Sequence, residues 1–470
     1  MDIRGMWEHF RHYGSTSVFL SPTAKPYEKD KAMDSIVKFY ATHRTGYGVA
    51  WGCAMESSYR LFNLLLIRQI ALQDESGLNR IECLDRYLII ECEFICEHLE
   101  EKANNNHYLL NIASLLACEH LKNGRLNSMI KNLDAIERFK KIVSHQFQAD
   151  GSHFESSSAY HFLCIEAVAL AVAGSESARG IWKSLPPRIR QGAVEMLHIM
   201  LNRDGSALQI GDDDSSSIFF TSDFLPKRYL QYKIITKLLP DALCRNVEMS
   251  PRNEFLNFGV IYRRVGRIEI FLYAPSHGQN GKGGHAHNDK GSLSVRLDGI
   301  ELIGDSGTAS YWCHRDYFRS CRAHSLAWYR GLEQADLSVG RFQLKQNTDS
   351  QFFSNESHEG IRVVSRSLAA KMCRKLIIEK DLIVITDSSE HSGADLQPES
   401  AFIIKGTNDV VETKNGVSGM TGGIKWELTS EIAPTVEECE ISQTYASTTK
   451  AKRVSFLWKG KSHLTHLRIF

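Results

Sequence analysis

Four stretches of this chain hold side chains suited to chemistry. In ANNNHYLLNIASLL, Asn104, Asn105 and Asn106 precede an apolar helical run, with His107 directly after them. Asparagine is among the best helix caps, because its side-chain oxygen accepts an unpaired N–H of the first turn. A cap accounts for one of the three. In DGSHFESSSAYHFLCIEAVAL, Glu155 and the serines at 156–158 suit a helix start, and Tyr160 and His161 fall in its first turns. Taken alone, that pair reads as a half-buried aromatic and a hydrogen-bonded core histidine. In SHGQNGKGGHAHNDKGSLSVRLDG the glycines would cradle phosphate only if a helix N-terminus followed. A strand pattern follows instead, which excludes that reading. His285 and His287 are two apart and face the same way on an extended chain. Two imidazoles on one face beside flexible glycines look like a site, the plain alternative being a polar surface loop. In the fourth stretch, GDSGTASYW to YFRSCRAHSLAWYRG, Asp305 follows a strand and His324 lies near Arg319 and Arg322. His287, Asp305 and His324 form a nitrogen, oxygen, nitrogen donor set suited to zinc. LQIGDDDSSS carries Asp212, Asp213 and Asp214 without the ligand spacing of an EF-hand, so it reads as a solvated turn rather than a calcium loop.

The elements that must position these residues differ between the two halves. Apolar residues at helical spacing predict helices over 30–44, 50–73, 84–101, 106–121, 126–147, 156–173 and 187–202. SYRLFNLLLIRQIAL is apolar on nearly every face, which predicts burial on most sides. The breaks are short and polar, so neighbouring helices run antiparallel. No repeat of 30–45 residues is visible, which disfavours a consensus solenoid and leaves open a ring of divergent helix pairs. Near residue 250 the pattern changes. FGVIYRRV and RIEIFLYAP read as strands, and LSVRLDGIELIG as two strands about an Asp-Gly turn. GIRVVSRSL, RKLIIEKDLIVITD, SAFIIKG, DVVET, IKWELTS and RVSFLWKG continue the strand texture. Helices followed by strands imply an α domain over 1–250 and a β domain over 251–470, with the boundary near 245–255.

The 470 residues are 43% hydrophobic and 24% charged, with a formal net charge of +1, an ordinary globular composition with ample core. That balance argues against a general nucleic-acid or membrane-surface binder. A polyanion held in a local basic or histidine-lined cleft remains compatible with it. No stretch reaches the apolar length of a bilayer-spanning helix. MDIRGMWEHFRHYG lacks the apolar segment of a signal peptide. The expectation is a cytoplasmic protein as the chain stands, periplasmic or secreted if a leader precedes it. The eleven cysteines form no framework, and Cys92 and Cys96 have no second pair to complete a zinc ribbon, which fits reduced thiols.

In their order the clusters resemble the heparinase II/III family. DGSHFESSSAYHF looks like that family's toroid signature, and GGHAHNDKGSLSVRLDGIELIGDSGTASY like the signature of its sandwich domain. RDYFRSCRAHSLAWYRG is similar to its third sandwich motif, and WGCAMESSYRLFNLL to its early helix. The matches span residues 51 to about 390. The resemblance implies an α+β multidomain fold, an incomplete (α/α) toroid followed by an antiparallel β-sandwich. It implies β-elimination on a uronate-containing polysaccharide or oligosaccharide, with no organic cofactor and no nucleic-acid partner. Tyr160 matches the catalytic tyrosine, Asn106 the amide position opposite it, and His285 the sandwich histidine of the cleft. His287, Asp305 and His324 match structural metal ligands, with Zn2+ the implied ion. Ser325-Leu326 departs from the usual Asn-Thr after the last ligand, and Leu109 and Leu110 stand where some relatives carry a charge.

Such a lyase removes the C5 proton of a uronate and expels the C4 oxygen. The implied assignment has Asn106 neutralise the carboxylate, since an amide donates without titrating. His285 assists, or is itself the base if C5 stereochemistry puts the proton on its side. Tyr160 acts as base, leaving-group acid or both. A tyrosine base needs nearby positive charge, for which His107, His161 and Arg60 are candidates; with Glu155 they form the expected substrate-binding set. Two alternatives stand beside this reading. One is a non-catalytic glycan-binding or polysaccharide-assembly protein, and the other a hydrolase using a metal-bound water at His287, Asp305 and His324.

Overall fold

The computed structural model describes residues 4–73, 78–121, 123–220, 227–240, 252–355, 358–391, 396–405 and 410–470. Two compact units form. Unit 1 comprises Met1–Gly151, Phe162–His198 and Ser216–Cys244, and unit 2 comprises Ser152–His161, Ile199–Ser215 and Arg245–Phe470. Two segments of the helical half, 152–161 and 199–215, therefore group with the strands. The expected boundary near 245–255 falls largely outside the described residues.

Unit 1 is helical. Its described helices are α1 (Arg4–Phe10), α2 (Tyr13–Leu20), α3 (Pro26–Thr42), α4 (Ala54–Ala71), α5 (Leu78–Glu97), α6 (Asn106–Ala117), α7 (Gly124–Asn132), α8 (Ala135–Gln146), α9 (Ser158–Gly174), α10 (Glu176–Ser184), α11 (Pro187–Met200) and α12 (Lys227–Leu238). The first turn of α9 and the last two residues of α11 belong to unit 2. α4 packs against α2, α5 and α6, α6 against α8, and α8 against α10, the successive pairing of an (α/α) arrangement. As its all-round apolarity predicts, α4 buries residues 54–64 without a break. The single helix expected over 126–147 is two helices, because Asp134 adopts a left-handed conformation (φ 56°) between α7 and α8. α10 and α12 were not expected: their apolar stripes are narrow, and α12 is hardly amphipathic. None of the described helices is long and apolar enough to cross a membrane.

Unit 2 is an antiparallel β-sandwich. One sheet runs β1 (Arg252–Phe255), β2 (Val260–Val265), β3 (Ile268–Tyr273), β4 (Ser292–Leu297), β5 (Ile300–Gly304), β13 (Pro398–Ile404), β18 (Ser447–Leu457) and β17 (Thr435–Thr444), with β6 (Ala327–Tyr329) paired to β13. β7 (Ala335–Asp336) and β8 (Lys345–Gln346) form a separate ribbon. The second sheet runs β14 (Val411–Thr413), β15 (Gly416–Thr421), β16 (Ile424–Ser430), β19 (Ser462–Ile469), β12 (Leu382–His391), β11 (Ala370–Ile378), β10 (His358–Ser365) and β9 (Thr348–Asn355). A shared core joins the two sheets, with Ile270, Leu293, Val295 and Phe402 from one and Ile361, Leu376, Ile385 and Trp426 from the other. Each such aliphatic side chain contributes roughly 1.5–3 kcal/mol by leaving water. The Asp-Gly hairpin forms as expected: Leu297 pairs with Ile300, and Asp298 and Gly299 both take positive φ (49° and 77°), the requirement of a type I′ turn. Across the sandwich, the buried Arg374 guanidinium grips Asp387 at 2.8 and 2.9 Å and donates to the Ser325 carbonyl. The Ser325 hydroxyl donates to the Gly304 carbonyl at 2.6 Å and accepts the Ile403 N–H at 2.9 Å, so this departure from the family pattern stitches β5 to β13.

Candidate active site and metal-ligand group

The site in unit 2 is built by three loops laid against the start of α9. Ser157 Oγ donates to the Asp212 carbonyl at 2.6 Å, the Ser158 N–H to the Ile210 carbonyl at 3.0 Å, and the Asp212 N–H to the His285 carbonyl at 2.9 Å. Glycine is required at 211: its φ is +66°, and an added Cβ would lie 2.5 Å from the His285 carbonyl oxygen. These bonds bring residues far apart in sequence onto Tyr160.

The Tyr160 ring stacks on the His285 imidazole, centroids 3.8 Å apart. Its hydroxyl donates to Asp214 Oδ2 at 2.9 Å and lies 3.0 Å from the Tyr311 hydroxyl. His285 Nδ1 lies 3.0 Å from Asp212 Oδ2, and His285 Nε2 lies 3.5 Å from Glu155 Oε2. Asp212 is the hub of the group. It takes both Arg315 Nη atoms, at 2.7 and 2.8 Å, and lies 3.0 Å from His287 Nε2. Burial alone would push the Asp212 carboxyl up, but Arg315 and the two imidazoles hold it well below the usual carboxylate range. Arg315 also covers the Tyr311 ring at 4.5 Å, and the Tyr160 phenol is among the groups that act on its charge.

Four of these partners, Asp212, Asp214, Arg315 and Tyr311, were not foreseen. The aspartates at 212–214, expected as a solvated turn, are all buried. Tyr311 ends the sandwich-domain signature and Arg315 opens the third motif, yet neither carried an expected role. The available signal was an acidic run ending in the apolar IFF, opposite an arginine in CHRDYF.

Beside the hub, donor atoms of His287, Asp305 and His324 lie within 4.8 Å of one another, all three residues buried. His324 Nδ1 is 2.7 Å from Asp305 Oδ2, which also accepts the Tyr273 hydroxyl at 3.2 Å, while Asp305 Oδ1 accepts the Gly307 N–H at 2.8 Å. His287 Nδ1, His324 Nε2 and both carboxylate oxygens of Asp289 have no hydrogen-bond partner among the described residues. Burial pushes the Asp289 carboxyl up to about 7 and the His287 imidazolium down, whereas Asp305 outweighs burial and raises His324.

The remaining expected residues are placed as follows. Asn106 is buried at the first position of α6, and the cap is its neighbour Asn105, whose Oδ1 accepts the His107 N–H at 3.1 Å. His107 Nδ1 is 2.8 Å from Glu100 Oε1. His161 is fully buried, its Nδ1 accepting the His153 N–H at 3.1 Å. Glu155 is fully buried beside His285. Arg60 corrects the expectation of a substrate-facing cation. It is fully buried and donates to Glu91 at 2.6 and 3.1 Å, to the Ala50 carbonyl and to Ser57 Oγ. Those bonds occupy its guanidinium and make it an internal brace. The positive charge beside the phenol belongs to Arg315.

Residues 249–455 match the family described as Heparinase II/III-like, C-terminal. No curated protein matches the sequence. Among solved structures, the chain is similar to heparinase III at 14% identity and a TM-score of 0.69, over 95% of this chain and 74% of that one. It is similar to a heparan sulfate lyase from Pedobacter heparinus at 16% identity and a TM-score of 0.62, over 100% and 77%. It is also similar to a chondroitin AC lyase from Streptomyces coelicolor A3, solved with chondroitin sulphate, at 13% identity and a TM-score of 0.52, over 98% and 74%. At these identities the likeness shows a common fold.

Proposed function

We propose that this chain, whose residues 249–455 match the Heparinase II/III-like C-terminal family, is a polysaccharide lyase that cleaves a uronate-containing polysaccharide by β-elimination. The observation that carries this reading is the Tyr160 hydroxyl, stacked on His285 and bonded to Asp214 and Tyr311. A phenol whose proton already points at a carboxylate is set up to pass that proton on as its oxygen takes another. In the proposed reaction Tyr160 receives the C5 proton while its own moves to Asp214; the same phenol then gives a proton to the departing C4 oxygen and recovers its own from Asp214. Arg315 supplies the nearby positive charge. The amide role falls to Asn106, which the family resemblance assigns to the substrate carboxylate. His285 is fixed by Asp212 on one ring nitrogen and faces Glu155 on the other, a setting suited to positioning the sugar.

His287, Asp305 and His324 fit a cation, since a converging nitrogen and oxygen set surrounded by unpartnered buried nitrogens and carboxylate oxygens is incomplete without one. We assign it zinc by the chemistry of the donors. When bound, zinc would serve as a structural cross-link, and Asp212, which touches both His287 and His285, would transmit that order to the site.

The test is incubation with a panel of uronate polymers while following the ultraviolet absorbance of the unsaturated product. Turnover of at least one polymer supports the reading. Binding of a polymer by the folded protein with no unsaturated product from any of them overturns it.

A further inference from the structure

Unit 1 holds a second group of metal-type donors, distinct from the sandwich histidines and independent of the lyase reading. Cys53 immediately precedes α4, Glu100 lies between α5 and α6, and His107 is the second residue of α6. Their donor atoms lie within 4.8 Å of one another, and all three residues are half-buried. Cys53 Sγ is 3.5 and 3.4 Å from the two Glu100 oxygens and 3.7 Å from His107 Nδ1, which is itself 2.8 Å from Glu100 Oε1.

We propose that Cys53, Glu100 and His107 form a binding site for a single zinc-class divalent cation, with a fourth position open to water. Three arguments carry this. The donors are a thiolate, an imidazole and a carboxylate, the combination that suits zinc among common cations. Bonds of about 2.0–2.3 Å in a tetrahedron separate such donors by roughly 3.3–3.6 Å. The sulfur distances nearly match that, and the imidazole need only swing a fraction of an ångström from Glu100. The main alternative, a Cys-His-Glu nucleophilic triad, is excluded by the ring. A triad uses one imidazole nitrogen for the thiol and the other for the carboxylate, whereas here both partners converge on Nδ1.

The ligands are also held from behind. Glu100 Oε2 accepts the Met55 N–H at 2.9 Å, and the Glu100 N–H donates to Asn111 Oδ1 at 3.1 Å. Asn111, fully buried in α6, donates in turn to Ser58 Oγ in α4. Outer bonds of this kind fix ligand orientation before the ion arrives. The His107 and Glu100 side chains keep 34% and 24% exposure, which leaves the ion an entry path and room for a water. On binding, the Cys53 thiol releases its proton to solvent and the cation takes its place. The ion would tie the start of α4 to the first turn of α6.

The test uses the full chain, stripped with a chelator and titrated with cobalt(II). A cobalt–thiolate bond gives a near-ultraviolet charge-transfer band that the cysteine-free set at His287, Asp305 and His324 does not give. The expected result is such a band, saturating by two equivalents, one for each set of donors, and bleached by zinc. It is lost in Cys53→Ser, weakened or shifted in His107→Gln, and unchanged in His324→Ala. Circular dichroism checks the fold, and if Cys53→Ser does not fold, Glu100→Gln and His107→Gln decide by the same band. Absence of the band in the parent chain, or its survival unaltered in the folded variants, overturns the proposal.

Discussion

Tyr160 and His285 lie ring on ring, their planes 21° from parallel, although they come from a helix start and a loop 125 residues apart in the chain. The stack leaves the phenol hydroxyl on Asp214 and Tyr311 and the imidazole nitrogens on Asp212 and Glu155. Contact between the two rings therefore fixes both groups without either satisfying the other's polar atoms. Tyr160→Phe keeps the stack and removes only the proton-carrying oxygen. On uronate polymers it should lower kcat by about 10²–10⁴-fold, the usual worth of a general acid or base, with KM nearly unchanged. A variant that turns over at the parent rate would remove Tyr160 from the chemistry.

Asp214→Asn tests the relay separately. The amide keeps the volume and can still meet the hydroxyl, but it takes no proton. The expected outcome is a fall in kcat with an altered pH profile and an unchanged melting curve. Parent kinetics in this variant would show that the phenol passes its proton elsewhere.

Arg315 and Asp212 form a buried bidentate pair, with side-chain exposures of 4% and 0%. Removing one partner strands the other's charge, so Arg315→Ala should destabilise the folded chain by about 3–5 kcal/mol in urea unfolding. Pairing Arg315→Met with Asp212→Asn should recover part of that loss, because no lone charge is left behind. A double variant as unstable as the single one would mean that the guanidinium acts chiefly through its packing on Tyr311 and Phe342.

How much of this was legible beforehand follows from what each signal depends on. The helices and the 297–300 hairpin were readable because periodicity and an Asp-Gly turn are local properties. The α7–α8 break was not, since Asp134 in a left-handed turn leaves the apolar period nearly intact. Strands such as β17 were missed because TVEECEISQT faces charged residues outward along most of its length. Tyr160, His285 and the metal-type triad stood out by residue type and by their resemblance to known motifs. Asp212 did not. Three consecutive aspartates are ordinarily solvated, and burial at 212 is decided by His285 and Arg315, which lie 73 and 103 residues further on. Arg60 shows the converse: its charge suggested a ligand, while its partner Glu91 lay one helix away. Cys53, although inside WGCAMESSYRLFNLL, and Glu100 carried no metal-ligand spacing, because their meeting with His107 depends on how α4 packs against α5 and α6.

Glu166 gives a stability prediction independent of catalysis. It is fully buried in α9, where one oxygen accepts the Ile218 N–H at 2.9 Å and the Gln231 amide at 2.7 Å. Burial outweighs those donors and pushes its carboxyl up from 4.5 to about 7. In the unfolded chain the proton leaves near the ordinary glutamate value, whereas the folded chain keeps it until about pH 7. Its contribution to stability is therefore full below about pH 4.5 and is lost as pH rises through 7. The window corresponds to on the order of 3 kcal/mol. Glu166→Gln removes the titration while keeping an oxygen for Ile218 and Gln231. Melting curves from pH 5 to 8 should show the parent losing stability relative to the variant as pH rises, with the gap widest above pH 7. Curves that stay parallel across that range would show that the Glu166 carboxylate is accommodated in the fold without cost.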